Sequence, residues 1–184
     1  MSWTVVPLSA VQAVSWRNGG GLTRELLAWP DAARWSVRLS VANVEQNGPF
    51  SRFDGVQRWF TVLSGAGVRL RIGGVLQTLT PESAPLHFDG GAAADCALVD
   101  GPTLDFNLMS QGRVARMERV RGQHEAQVRA GQLVAVWTNG AGGALVHGGE
   151  RIALAPMTLA WRIAAAESTV HFNSDDGLWM EVAP

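Results

Sequence analysis

The stretch that decides the fold is "RWSVRLSVANV", residues 34–44. Apolar and polar side chains alternate along it, with Trp35, Val37, Leu39 and Val41 in one set and Arg34, Ser36, Arg38 and Ser40 in the other. Successive side chains of a β-strand point to opposite faces of the sheet, so a period of two is typical of a strand with one apolar face. This stretch therefore predicts a half-buried strand.

Similar short strands recur along the chain, each closed by Gly, Pro or Asp. They include "RWFTVLSG" (58–65), "GVRLRIGG" (67–74), "TLDFNLMS" (103–110), "QLVAVWTNG" (132–140) and "LWMEVAP" (178–184). No segment shows the period of a long amphipathic helix, and at most a short turn is expected near Ser9–Val14. Strands at this spacing predict an all-β protein built as an antiparallel sandwich or barrel.

The most charged segment, "SQGRVARMERVRGQHEAQV" (110–128), separates two series of strands. The series echo each other loosely, since "VSWRNGGG" (14–21) resembles "AVWTNGAGG" (135–143). We expect a division near residues 110–116, with an N-terminal barrel over 1–112 and a smaller C-terminal half over 113–184.

Composition excludes several classes of function. The net charge is −1 and no basic run occurs, which argues against nucleic acid or an anionic membrane as partner. All 15 basic residues are arginine, so neither a Schiff-base lysine nor a P-loop lysine exists. The single cysteine, Cys96, excludes an internal disulfide and a thiolate cluster. The start of the chain lacks a signal-peptide pattern and no apolar run is long enough to span a membrane, so we expect a cytoplasmic protein.

Neither a metal centre nor a catalytic nucleophile is indicated. The four histidines (His87, His124, His147 and His171) form no close pair, and neighbouring ligands on one strand face would be two residues apart. There is no Gly-x-Ser-x-Gly elbow. We therefore expect no metal and no cofactor.

The glycine run "WRNGGG" (16–21) has two interpretations. It lacks the lysine of a phosphate loop, and Arg24 stands where a dinucleotide loop would have its last glycine. Asn18-Gly19 is a strong signal for a hairpin turn. A two-residue turn needs no third glycine, so a loop bordering a binding site fits the local sequence equally well.

Two further parts of the sequence contain polar residues that are candidates for a binding site. Arg58 opens an otherwise apolar strand, where its burial is costly unless a ligand carboxylate or a neighbour such as Asp54 meets it. Asp105 and Asn107 are two residues apart, so they share one strand face with Met109. That face is either exposed to solvent or lines the interior of a barrel.

Several of these motifs together resemble the HutD/Ves family. "SWRNGGGLTREL", "RWSVRLSVANV", "GPFSRFDGVQRWFTVLSGAG", "LHFDGG" and "DFNLM" occur in the order and spacing of that family, over residues 14 to about 113. The resemblance implies a cupin-type β-barrel, duplicated as a compact bicupin, and an association with bacterial histidine utilisation. It also implies binding of a pathway intermediate such as urocanate or N-formylglutamate. Metal-binding cupins carry histidines where this chain has Gln57, Arg58, Asp105 and Asn107, which favours a metal-free site.

The leading hypothesis is a metal-free protein that binds a small carboxylate in the N-terminal barrel and acts in regulation. Arg58, helped by Arg24, would pair with the carboxylate. The other expected site residues are Asn18, Thr23, Asp105 and Asn107 as hydrogen-bonding groups, Trp16, Phe50 and Met109 as walls, and Glu25 as a charge that needs an arginine partner.

Two alternatives stay open. An isomerase or hydrolase would use Glu25, Asp105 or His87 as general base. A protein-interaction module would expose some of the eight tryptophans. The sequence leaves ligand identity and oligomeric state undecided.

Overall fold

The computed structural model describes residues 2–184 and is built almost entirely of antiparallel β-strands. The helical element among these residues is a single 3-10 turn, Leu8–Ala10, and no helix there is long and apolar enough to cross a membrane. The all-β antiparallel prediction is confirmed.

The chain divides into two compact units, one of residues 12–112 and one of residues 2–11 with 113–184. The sequence places residues 1–112 in one domain, but β1 (Thr4–Pro7) pairs with Thr158–Ile163, so residues 2–11 are grouped with the C-terminal unit.

The first unit contains a six-stranded and a four-stranded sheet. The larger sheet has the order β2-β3-β4-β11-β6-β9, with β2 Val14–Ser15, β3 Gly21–Trp29, β4 Val37–Val44, β6 Val56–Ser64, β9 Leu86–Asp89 and β11 Thr103–Gln111. The smaller sheet has the order β5-β10-β7-β8, with β5 Gly48–Pro49, β7 Val68–Ile72, β8 Val75–Leu79 and β10 Ala94–Leu98. Apolar side chains from both sheets form one core cluster, including Phe60, Val62, Leu70, Phe88 and Cys96.

The strand that decides the fold is buried on its apolar face and partly buried on its polar face. In β4, Val37, Leu39 and Val41 are fully buried, as the alternation predicts. On the polar face Ser40 is covered as well, since it is only 4% exposed. The apolar face is therefore buried as predicted, while the polar face is open to solvent only in part, since the side chain of Arg38 is 24% exposed.

The other unit contains one seven-stranded sheet in which β1, β16, β13, β17, β14 and β15 are neighbours in that order and β12 pairs with β17. The remaining bounds are β12 Ala115–Val128, β13 Leu133–Thr138, β14 Gly143–His147, β15 Glu150–Leu154, β16 Thr158–Ile163 and β17 Ser168–Val182. The charged segment around residues 110–128 thus supplies a long strand, β12.

Candidate functional site in the N-terminal barrel

A cavity of about 550 Å³ opens within the first unit, a size typical of small-molecule sites. Seven of the predicted site residues line it: Trp16, Asn18, Thr23, Phe50, Arg58, Asn107 and Met109. Side chains that the sequence does not single out complete the wall, among them Arg17, Arg38, Ser40, Ser51 and Phe60. Polar and apolar side chains from distant parts of the sequence therefore line the same cavity.

Cross-strand register explains why these groups meet. In the row across three strands, Arg38 of β4 is opposite Met109 of β11, which is opposite Arg58 of β6. In the next row, Ser40 is opposite Asn107, which is opposite Phe60. Directly paired residues point to the same face of a sheet, so both rows face the cavity.

Arg58 is the central charged group of the cavity. It is only 5% exposed, and among residues 2–184 no carboxylate forms an ion pair with it. Its Nη2 donates a hydrogen bond to Oδ1 of Asn107 at 2.8 Å, and its Nη1 reaches the carbonyl oxygen of Ser51 at 3.4 Å. The rings of Phe50 and Phe88 lie 5.3 and 5.2 Å from its Cζ. The guanidinium is thus held in place by neutral groups.

Burial and the nearby charge of Arg38 lower the pKa of Arg58 to about 10. The side chain is still protonated at neutral pH. A buried guanidinium without a counter-charge is costly, which makes this position suited to an anion.

The glycine loop forms one edge of the cavity. Gly19 has a φ of +70°, a conformation that favours glycine, and the backbone N–H of Gly20 donates to Oδ1 of Asn18. At Gly21, a Cβ atom would overlap the carbonyl oxygen of Asn43 and lie 3.3 Å from the ring of Trp16. The third glycine therefore lets β3 start close against β4, while the indole Nε1 of Trp16 donates to Thr23 Oγ1 at 2.7 Å.

Three predicted site residues lie outside the cavity lining: Arg24, Glu25 and Asp105. The predicted helper of Arg58, Arg24, pairs with Val41 in register, so it points to the face opposite Thr23 and binds Asn43 Oδ1 at 3.1 Å. Arg38 is the second arginine in the cavity instead. Its Nε binds Glu25 Oε2 at 2.6 Å, so Glu25 has the arginine partner that it was expected to need.

Asp105 lies in the core of the unit, and its side chain is not part of the cavity lining. It is fully buried, its Oδ2 accepts a hydrogen bond from Thr103 Oγ1, and its Oδ1 has no partner among residues 2–184. Burial raises the pKa of Asp105 to about 7, and the Thr103 hydrogen bond partly opposes that rise. Burial, with a contribution from the charge of Asp105, raises the pKa of Cys96 to about 12. The carboxyl therefore belongs to the core near Cys96, although Asp105 keeps the same register as Asn107 along β11.

The described residues contain no cluster of three or more His, Cys, Asp or Glu side chains able to hold a metal ion. His87 is exposed and stacks on Trp59 with ring centroids 4.7 Å apart, on the face of β6 opposite Arg58. None of the three candidate general bases (Glu25, Asp105 and His87) lines the cavity.

Comparison with known proteins identifies the family. A family model described as HutD matches residues 8–181. The chain belongs to the HutD family. An uncharacterised 21.2 kDa protein in the hutC 3′ region of Pseudomonas putida is 41% identical over 99 residues, covering 51% of this chain and 50% of that protein. Protein Ves of Cronobacter sakazakii is 37% identical over 109 residues, covering 59% of this chain and 58% of its own length. The chain thus spans about half the length of the curated relatives it matches.

Solved structures agree with this assignment. HutD from Pseudomonas fluorescens SBW25, determined in a formate condition, superposes with a TM-score of 0.84 at 26% identity, covering 99% of this chain and 98% of that one. A salicylate 1,2-dioxygenase from Pseudaminobacter salicylatoxidans shares the fold alone, with a TM-score of 0.64 at 10% identity over 98% of this chain and 83% of that one. The predicted cupin-type fold and the HutD/Ves resemblance are confirmed.

Proposed function

We propose that this HutD-family chain binds a small carboxylate metabolite in the cavity of the N-terminal barrel and acts as a ligand-binding regulator rather than an enzyme. The observation that carries the proposal is Arg58: a buried, protonated guanidinium in a cavity whose lining includes no Asp or Glu. Asn107 holds one edge of the guanidinium. A carboxylate is the planar anion that a guanidinium binds with two hydrogen bonds, and such charge-assisted bonds are strong.

The candidate ligands come from histidine utilisation. The family and the relative in the hutC 3′ region of Pseudomonas putida connect this chain with that pathway. Urocanate and N-formylglutamate are both carboxylates, and each has an apolar or uncharged part that the rings of Trp16, Phe50 and Phe60 would cover. A binding role is favoured over catalysis because the candidate general bases point away from the cavity or lie outside its lining.

Isothermal titration of the purified chain with urocanate, N-formylglutamate and formate tests the proposal. We expect saturable binding of at least one metabolite and a loss of at least about 30-fold in affinity for Arg58→Ala, since truncating one partner of a buried charged pair costs about 2 kcal/mol or more. Arg58→Lys keeps the charge but not the planar fork, so it should recover part of the affinity.

The matched control is Arg69→Ala, which removes an exposed arginine of the same unit and should leave binding unchanged. Circular dichroism and thermal melting of each variant establish that it is folded. Unaltered affinity in a folded Arg58→Ala protein would refute the assignment. Proton NMR of each ligand incubated with the protein checks for turnover, and steady conversion of either ligand would establish an enzyme.

A further inference from the structure

One edge of the four-stranded sheet is open. β8 (Val75–Leu79) pairs with β7 on one side, and among residues 2–184 no strand pairs with it on the other. Residues 75–78 are exposed, with Val75 at 61% and Leu76 at 52%. Within that part of the chain, the backbone of β8 forms no hydrogen bond beyond its ladder with β7. The strand therefore presents unpaired backbone donors and acceptors together with apolar side chains.

The other terminal strands of the three sheets carry features that hinder pairing. Charged side chains, proline, a bulge or a very short strand are the usual protections of a sheet edge. β2 and β5 have two residues each, β1 and β5 end in proline, β9 and β15 contain charged residues, and β12 is rich in charges and has a register shift. β8 has the sequence VLQTL, with neither charge nor proline, and its pairing with β7 has no register shift. Of the terminal strands that the structure describes, β8 alone is unprotected.

The hairpin between β7 and β8 determines which backbone groups face the open side. Ile72 and Val75 are directly paired across the two-residue turn Gly73-Gly74, whose φ angles of 54° and 88° are typical of a type I′ turn. Residues that flank such a turn exchange two hydrogen bonds, and hydrogen-bonded pairs then alternate along the strand. Val75 and every second residue after it therefore bond to β7. The N–H and C=O groups of Leu76 and Thr78 point outward.

A second copy of the same strand, turned about a two-fold axis at Gln77, fits this edge. Leu76 then lies opposite Thr78 of the second copy, and Thr78 lies opposite Leu76 of that copy. Both pairs have their backbone groups on the shared side, so about four hydrogen bonds form. Gln77 meets its own counterpart, and each amide has both a donor and an acceptor for the other. On the same face as Gln77, the exposed side chain of Val75 meets Leu79 of the second copy.

The charges beside β8 are compatible with this arrangement. Arg69 and Arg71 of β7 are opposite Thr78 and Leu76 in register. In the two-fold pairing, one row runs from Arg71 through Leu76 and Thr78 of the second copy to Arg69 of that copy. The two arginine Cα atoms are three strand spacings apart, about 14 Å, which exceeds the Debye length of about 10 Å at about 0.1 M salt. Asp95 of β10 is opposite Arg71 and offsets its charge further.

We infer that β8 is the contact through which two copies of this chain form an antiparallel, two-fold dimer, joining their four-stranded sheets edge to edge. The occupant is a second copy because the edge matches itself in hydrogen-bonding register, in side-chain polarity and in charge. Five residues of β8 in each copy are fewer than the roughly 20 per partner of a stable interface, so the dimer is weak and forms with rising concentration. This inference is independent of the cavity and its ligand.

Sedimentation velocity of the full chain between micromolar and millimolar concentration tests the inference. We expect the average mass to rise from that of one chain toward that of two. Thr78→Pro removes an outward N–H from each copy and leaves the ladder with β7 intact, so it should weaken association at least about tenfold. Leu76→Lys places like charges within the pairing and should do the same. Val114→Lys is the matched control, because Val114 is 71% exposed and lies outside β8, and it should associate as wild type does.

A cross-link tests the two-fold register itself. Gln77→Cys places a thiol at the axis, where the Cβ atoms of directly opposite residues are about 5 Å apart. We expect mild oxidation to give a covalent dimer at concentrations where the wild-type chain associates. The native thiol of Cys96 is buried and does not compete. Val114→Cys is the control and should stay monomeric under the same oxidation.

Three results would overturn the inference. A chain that stays monomeric up to millimolar concentration has no such contact, and its β8 edge is then left to a strand of a different protein. A dimer that persists in folded Thr78→Pro and Leu76→Lys is held together by another surface. A dimer in which Gln77→Cys does not cross-link lacks the two-fold register. Circular dichroism and thermal melting establish that each variant is folded.

Discussion

Asp105→Asn should change how the stability of this protein depends on pH. Asp105 is 0% exposed, and Thr103 is the single side chain hydrogen-bonded to its carboxyl group among the described residues. The second carboxyl oxygen has no partner there, so the ionised form lacks the solvation that water gives it in the unfolded chain. Burial accordingly raises the pKa of Asp105 from 3.8 to about 7.

The size and sign of the effect follow from that shift. The rise of the pKa from 3.8 to about 7 means that the folded protein disfavours the ionised carboxyl, relative to the protonated one, by about 4 kcal/mol at about 1.36 kcal/mol per pKa unit. Between pH 4 and 7 the native state holds a proton that the unfolded state has released. The contribution of Asp105 to the free energy of unfolding is therefore fully present below pH 4 and is lost as pH rises to 7, with no further change above.

Asn is neutral throughout this range and keeps an oxygen that accepts the Thr103 hydrogen bond. The free energy of unfolding of Asp105→Asn should thus lack this decline. The difference between the variant's free energy of unfolding and that of wild type should therefore increase by up to about 4 kcal/mol from pH 4 to pH 7. Urea unfolding at half-unit pH steps measures the difference. Asp95→Asn, an exposed carboxyl of β10 in the same unit, is the matched control and should run parallel to wild type. Parallel curves for wild type and Asp105→Asn would refute the reasoning.

Two further outcomes follow from the same unit. Gly21→Ala should lower the free energy of unfolding by about 1–3 kcal/mol in urea titration, because its Cβ would overlap the carbonyl oxygen of Asn43. Gly48→Ala is the control, because a Cβ at Gly48 would meet open space, and equal losses of stability in the two variants would contradict this explanation. Cys96 is 3% exposed, and burial raises the pKa of its thiol to about 12. Iodoacetamide at pH 8 should therefore modify this thiol only after the protein has been unfolded in guanidinium chloride. Stoichiometric alkylation of the native protein, detected by mass spectrometry, would contradict the burial of Cys96.

The fold could be predicted because strand periodicity is a local property. Each apolar position of residues 34–44 that falls within β4 is buried, and the alternation at Asn107 and Met109 correctly groups two cavity residues on one face. Periodicity states which side chains share a face, but it does not state whether the polar face meets solvent or a cavity. Arg38 and Ser40 are the example: their pattern is that of a surface, and only the pairing of β4 with β11 shows that they line the cavity.

The choice between Arg24 and Arg38 shows a second limit. Thr23, Arg24 and Glu25 are consecutive, so on a strand the middle residue must point away from the other two. That rule alone separates Arg24 from Thr23, and the structure agrees with it. The burial of Asp105 is different: Asp105 keeps the same register as Asn107, and the alternation that groups the two on one face does not state which of them the core covers completely.

In the proposed function, the position of Arg58 links ligand binding to folding. Water is removed from the guanidinium when the barrel folds, and Asn107 with the rings of Phe50 and Phe88 fixes its orientation. An arriving anion therefore meets a donor that is already desolvated and oriented, which raises affinity by lowering the cost of ordering on binding. The unliganded protein bears the cost of that buried charge, and an anion that binds only the folded state compensates it. The proposed function therefore predicts that occupancy of the cavity and stability of the N-terminal unit are coupled through the side chain of Arg58.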